Sequence, residues 1–225
     1  MKKAISISII FIVFFLNGKT QHHVFEYGLH GGINFNTAHG TAINKDAAGN
    51  LRGINIGGYV KRNISNSFGV KAMLQYEQNG WAYRSLTFEN ADSTGLSKGD
   101  VLIKLNYLNL PVVAEYSFGN KINFYTHAGL FFGVLLNNKM ITKIKNQEPP
   151  YTVTTTNSSN SKKSANYGIA LGAGIQVPLR SNIKLSIGLH NNLGLVNINK
   201  SSEGQSASSI KTNSFSILGG IGFTL

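Results

Sequence analysis

An all-β fold is predicted for this chain, an eight-stranded antiparallel up-and-down transmembrane β-barrel. Three observations predict it: apolar residues recur with a period of two along eight stretches, the connections between them alternate long and short, and no apolar run after Leu16 approaches the length of a spanning helix. The composition agrees. Charged residues are 13% of 225, well under the roughly 25% of a typical soluble domain, and 25 glycines with 4 prolines fit neither a collagen repeat nor a proline-rich disordered chain. With no cysteine there is no disulfide scaffold, thiolate metal site or cysteine nucleophile.

The N-terminus indicates export. Met1-Lys2-Lys3, an apolar core from Ala4 to Leu16 and a polar stretch from Asn17 to Gln21 describe a secretory signal peptide over residues 1–20, followed by a barrel domain over 21–225. Gly18 and Thr20 are small enough for the −3 and −1 positions of the cleavage site, and no cysteine follows to carry a lipid anchor. Cleavage removes Lys2, Lys3 and Lys19 and no acid, so the formal +12 falls to +9.

The first segment, 25–35, sets Phe25, Tyr27, Leu29, Ile33 and Phe35 on one face and Glu26, His30 and Asn34 on the other. The second, 54–61, sets Ile54, Ile56 and Val60 against Asn55, Tyr59 and Lys61, and the third, 68–77, sets Phe68, Val70, Leu74 and Tyr76 against Lys71, Gln75 and Glu77. In the fourth, 107–118, Leu108, Leu110, Val112, Tyr116 and Phe118 oppose Tyr107, Asn109, Val113, Glu115 and Ser117. The fifth, 122–136, opposes Phe124, Leu130, Phe132 and Val134 to Tyr125 and His127. Segments 166–177 and 183–194 put glycines, Gln176, Lys184 and His190 opposite their aliphatics, and the last, 214–225, alternates Phe215, Ile217, Ile221 and Phe223 with Ser214, Ser216, Gly220 and Gly222. Each has the length of a tilted membrane strand.

Long connections, approximately 37–51, 80–102, 138–165 and 198–212, alternate with the short ones Arg62 to Asn66, Gly119-Asn120 and Pro178 to Ser181. This is the order of an outer-membrane barrel whose two termini and short turns lie in the periplasm. An even strand number closes without an edge, as hydrocarbon demands of unpaired backbone. The topology gathers Phe25, Tyr27, Phe68, Tyr116, Phe118, Phe124 and Phe223 at the periplasmic rim and Phe35, Tyr76 and Phe132 toward the other, the girdles expected at headgroup level.

Several stretches resemble the Bacteroidetes-type outer-membrane β-barrel proteins of the porin family. They are Leu74-Gln75-Tyr76-Glu77-Gln78-Asn79-Gly80, Tyr107-Leu108-Asn109-Leu110-Pro111, Tyr167 to Gly174, and Leu193-Gly194-Leu195-Val196-Asn197-Ile198, in family order along the whole mature chain. The resemblance implies outer-membrane location and an eight-stranded barrel, with no substrate attached. Asn79 and Asn109 stand where many members carry a charged residue, and the chain ends in Leu225 rather than an aromatic.

An eight-stranded barrel is just wide enough for its own side chains to fill, so a wide pore is not expected. Glu26, Lys61, Lys71, Glu77, Glu115, His127 and Lys184 face inward as a candidate polar network, whose acids and bases are expected to pair. Keeping inward residues opposite inward residues in the hairpin of the fourth and fifth segments places Glu115 opposite Tyr125 and Val113 opposite His127, making Glu115 and His127 diagonal neighbours. A carboxylate beside a histidine is half of a hydrolase constellation, but Ser117 is the one nearby hydroxyl and lies low in a filled lumen. No histidine spacing describes a metal site, so neither cofactor nor metal is expected.

The remaining signal is charge. Loop 138–165 carries Lys139, Lys143, Lys145, Lys162 and Lys163 against Glu148, a net +4, and its Ser/Thr/Asn-rich stretch Thr152 to Ser161 is expected to be mobile or to form a hairpin above the membrane. These lysines are candidate contacts for lipopolysaccharide phosphates. Nucleic acid is not expected, since only Tyr151 offers an aromatic beside the cluster. The sequence therefore reads as a non-enzymatic outer-membrane barrel with a structural or surface-interaction role. Its expected partners are the lipid bilayer, the barrel-insertion machinery and a protein partner of unknown identity. A narrow channel for small solutes or ions, or an accessory part in outer-membrane secretion, are the alternatives.

Overall fold

The computed structural model describes residues 25–41, 43, 48–89, 96–145, 152–157, 162–200 and 208–224; the expected signal peptide and Leu225 lie outside the described residues. Ten strands are present among them: β1 (Phe25–His39), β2 (Ala48–Gly49), β3 (Leu51–Asn63), β4 (Phe68–Glu89), β5 (Leu96–Phe118), β6 (Asn123–Lys145), β7 (Thr152–Asn157), β8 (Ala165–Arg180), β9 (Ile183–Gly194) and β10 (Lys211–Thr224). Eight of them, β1, β3, β4, β5, β6, β8, β9 and β10, pair antiparallel with their chain neighbours, and β1 pairs β10 from Glu26↔Thr224 to His39↔Lys211. The sheet therefore closes into the ring the sequence calls for. The small strands β2 and β7 add to β4 and β6 beyond it.

Closure converts the period-two pattern into an inside and an outside. The aliphatic set is turned out, with Leu130 68% and Leu29 64% exposed, while Glu26, Asn34, Gln75, Glu77 and Glu115 are fully buried. A soluble protein would do the reverse, so this is a surface made for hydrocarbon. Near the short turns Tyr27 stacks on Phe223 at 6.0 Å and Phe118 on Phe124 at 5.6 Å, and Phe68 faces Tyr116 across β4 and β5. At the other end Phe35 faces Phe215.

Two expectations about connections are corrected. The stretches 80–102 and 138–165 are largely paired strand: β4 and β5 run together to Glu89↔Leu96, β5 and β6 to Lys98↔Lys145, and β7 folds back on β6 as a hairpin extension. Trp81, Tyr83, Val101 and Ile103 continue the alternation past the apolar band, and β-branched and aromatic residues keep pairing there. The turn between β5 and β6 is also longer than two residues. Phe118 pairs Phe124, with Gly119 at φ 112° in the left-handed region that glycine adopts without strain. The register moves by two, and Glu115 faces His127 directly rather than diagonally.

Apolar side chains gather at the end of the lumen opposite the short turns. Ile43, Trp81, Leu105, Tyr107, Ile198 and Ile210 pack into a buried apolar plug, flanked by Ala38, Tyr83, Ile103, Leu135 and Val196. Backbone bonds pin it: Ile198 N–H donates to Ile210 C=O at 2.9 Å, and Lys163 N–H donates to Ile198 C=O at 2.7 Å. The long connection expected over 198–212 turns inward at its two ends because Ile198 and Ile210 find apolar partners there.

Candidate functional site

The lumen below the plug holds polar layers, each built by inward positions of several strands, around a smaller apolar cluster of Tyr59, Met73, Val113, Phe131 and Ala170. In the layer nearest the short turns, Glu26 accepts from the Tyr59 hydroxyl at 2.9 Å and from Lys184 Nζ at 2.9 Å. Beside it Glu115 is held by two ammonium groups, Lys61 Nζ at 2.7 Å and Lys71 Nζ at 3.4 Å. Lys71 also lies 4.1 Å from the centre of the Tyr59 ring, a cation over an aromatic face. Burying these charges is tolerable only because each has an opposite charge in contact.

The middle layer is made of histidines and amides. His127 Nε2 lies 3.0 Å from His190 Nδ1, His190 Nε2 lies 3.1 Å from Asn192 Oδ1, and Asn192 Nδ2 donates to Glu77 Oε2 at 2.7 Å. The carboxylate end sets the direction of the chain. Asn192 offers its amide hydrogens to Glu77 and so presents its oxygen to His190, whose Nε2 must donate and whose Nδ1 must then accept from His127 Nε2–H. His30 receives Gln75 Nε2 at 3.1 Å and stacks on Tyr59. Glu77 is held by neutral donors: Asn79 at 3.2 Å, Asn109 at 3.0 Å, Asn192 and the Ser214 hydroxyl. Asn79 and Asn109, the two departures from the family pattern, are thus amide donors to one buried carboxylate.

Space for these groups comes from glycine. A Cβ on Gly188 would run into the Tyr125 hydroxyl, and one on its cross-strand partner Gly174 would lie 2.6 Å from it. An interior cavity of about 30 Å³ between His30, Lys71, Tyr125, His127 and His190 has room for one or two waters.

All seven inward candidates, Glu26, Lys61, Lys71, Glu77, Glu115, His127 and Lys184, therefore lie in one connected lumen. The hydrolase half-constellation is not assembled: both Glu115 oxygens are taken by lysines, and His127 turns to His190 rather than to Ser117. No group of three or more His, Asp or Glu among the described residues is arranged to hold a metal.

The five loop lysines do not form one patch. Lys162 sits at the plug, its Nζ 5.7 Å from the centre of the Trp81 ring and donating to Asn199 Oδ1 at 3.0 Å; burial pulls its ammonium below the usual lysine range. Lys163 is exposed next to it. Lys139 and Lys143 are exposed on β6, and Lys145 ends that strand opposite Lys98. Sequence reasoning missed Trp81, Asn192 and Lys104. Their positions carry the same period-two signal that identified the other inward and outward residues.

Comparison with known proteins places this architecture. No curated protein sequence matches the chain. Among solved structures it is similar to Ail, the attachment invasion locus protein of Yersinia pestis, at 14% identity over 89% of this chain and 98% of that one, TM-score 0.40. It is also similar to the outer membrane protein OprG from Pseudomonas aeruginosa, at 10% identity over 91% and 97%, TM-score 0.47. A third similarity is to the Neisserial surface protein A, at 11% identity over 88% and 97%, TM-score 0.45. The family described as "Outer membrane protein beta-barrel domain" matches residues 17–200, so the chain belongs to that family and to the outer membrane.

Proposed function

We propose that this protein is a closed, non-conducting and non-enzymatic barrel with a structural or surface-interaction role. In this reading residues 1–20 are a signal peptide removed on export, and residues 21–225 are placed in the bilayer by the barrel-insertion machinery. Both termini and the short turns face the periplasm, and the strand extensions of β4 to β7 stand at the cell surface, near lipopolysaccharide phosphates. The observation that carries the reading is the occupancy of the lumen. Three ion pairs and an amide and histidine network fill it, and an apolar plug covers it. Moving an ion along this path would separate charges that are paired in a medium of low dielectric constant. In planar bilayers the refolded protein is expected to give no stepwise conductance; discrete single-channel steps would overturn the reading in favour of a narrow channel.

A further inference from the structure

We infer that the outward face of β5 and β6, just beyond the apolar band, binds a phosphorylated glycolipid of the outer leaflet, Lys104 and Lys139 taking its phosphate. The inference rests on the orientation proposed above, with the strand extensions at the cell surface. On β5 the outward residues from Phe118 to Leu108 are apolar or, at Ala114 and Tyr116, compatible with the band and its rim. Those ten steps span roughly 33 Å of strand, or about 25 Å along the membrane normal at a tilt of about 40°, the full height of a barrel's apolar band. The next outward pair is Asn106↔Asn137, and the next is Lys104↔Lys139. Both lysines are exposed, about 10 Å beyond Leu108 along the normal and within snorkelling reach of headgroups.

Like charges directly opposite on one sheet face destabilise the pair, because their Cβ atoms are only about 5 Å apart. The lumen lysines solve this with carboxylates. Among the described residues neither Lys104 nor Lys139 has one, since all three ion pairs lie inside the barrel. The nearest outward acid on these strands is Asp100, two pairs further up; it faces Lys143, and its Oδ1 accepts the Ser85 N–H at 3.0 Å. Beyond it Lys98 faces Lys145. The site thus offers paired cations one polar pair, Asn106 and Asn137, above a continuous apolar wall that includes Leu108, Leu110, Val134 and Leu136. A ligand matching both parts has a phosphate at the top and acyl chains below. A soluble phosphate meets only the upper half.

The test is retention of lipid by the refolded mature protein in native mass spectrometry, with bisphosphorylated lipid A against the same lipid dephosphorylated. The phosphorylated form is expected to be retained, and the Lys104→Gln/Lys139→Gln double variant to weaken retention by about tenfold or more. Lys104→Arg/Lys139→Arg should restore it, and Lys121→Gln at a short turn should leave it unchanged. Equal retention of the two lipids by the unaltered protein overturns the proposal without any variant having to fold. So does full retention by the glutamine variant, or displacement of the lipid by an equal concentration of inorganic phosphate. Lipid binding in this assay does not depend on which end of the barrel faces outward, so a failed orientation is detected separately, by surface labelling in cells.

Discussion

Glu115 shows how much one residue can carry inside a barrel. It is fully buried and is the only acid in contact with Lys61 and Lys71 among the described residues. Glu115→Gln keeps the shape and removes the charge, leaving two buried ammonium groups uncompensated. A loss of about 3 kcal/mol is expected in urea unfolding from lipid vesicles, against less than about 0.5 kcal/mol for the exposed Lys163→Gln. Equal effects of the two substitutions would show that water reaches the lower lumen. That Glu115 faces inward was legible from its parity on the strand. Its partners were not, because Lys61 and Lys71 lie on β3 and β4, and which lysine reaches it depends on the shear of the closed ring.

At the scale of the element, β4, β5 and β6 extend well past the points where the hydrophobic pattern of the sequence predicts connections. Their period-two pattern does continue, but with polar residues on the outward side, so a hydrophobicity criterion ends each strand where the membrane ends. Pairing does not end there. It carries Trp81 into the plug, where it packs with Leu105 and Tyr107 beneath residues from the long connections. Trp81 is the sole tryptophan of the chain and is 2% exposed, which makes its fluorescence a direct report on the plug. Emission at short wavelength with weak iodide quenching is expected. Ile198→Ala should lower the local stability of the plug by about 2–4 kcal/mol and raise the quenching, while barrel closure persists. Unchanged quenching would mean that the connection bearing Ile198 does not shield the mouth.

At the scale of the whole molecule the two ends differ in construction. One carries short turns and stacked aromatics, the other strand extensions, exposed lysines and the plug. The absence of cysteine allows the orientation to be read with single introduced thiols. Lys163→Cys should react with a membrane-impermeant maleimide on intact cells, and Lys121→Cys only after the outer membrane is opened. The reverse pattern would invert the proposed orientation and leave the closed lumen unaffected.

The eight strands of the closed ring, the face of their membrane-spanning side chains and the positions of the short turns were determined by the sequence alone, because a two-residue period and turn chemistry are local properties of the chain. The tertiary structure decided what those side chains meet. Asn192 joining His190 to Glu77, Glu115 facing His127 without bonding it, Lys104 standing opposite Lys139, and Ile198 closing the mouth all join positions far apart in the chain or offset in register. A two-residue change at one turn moves such partners by a full side-chain repeat while leaving every residue on its own face, so the pattern that reveals inside and outside cannot reveal who pairs with whom.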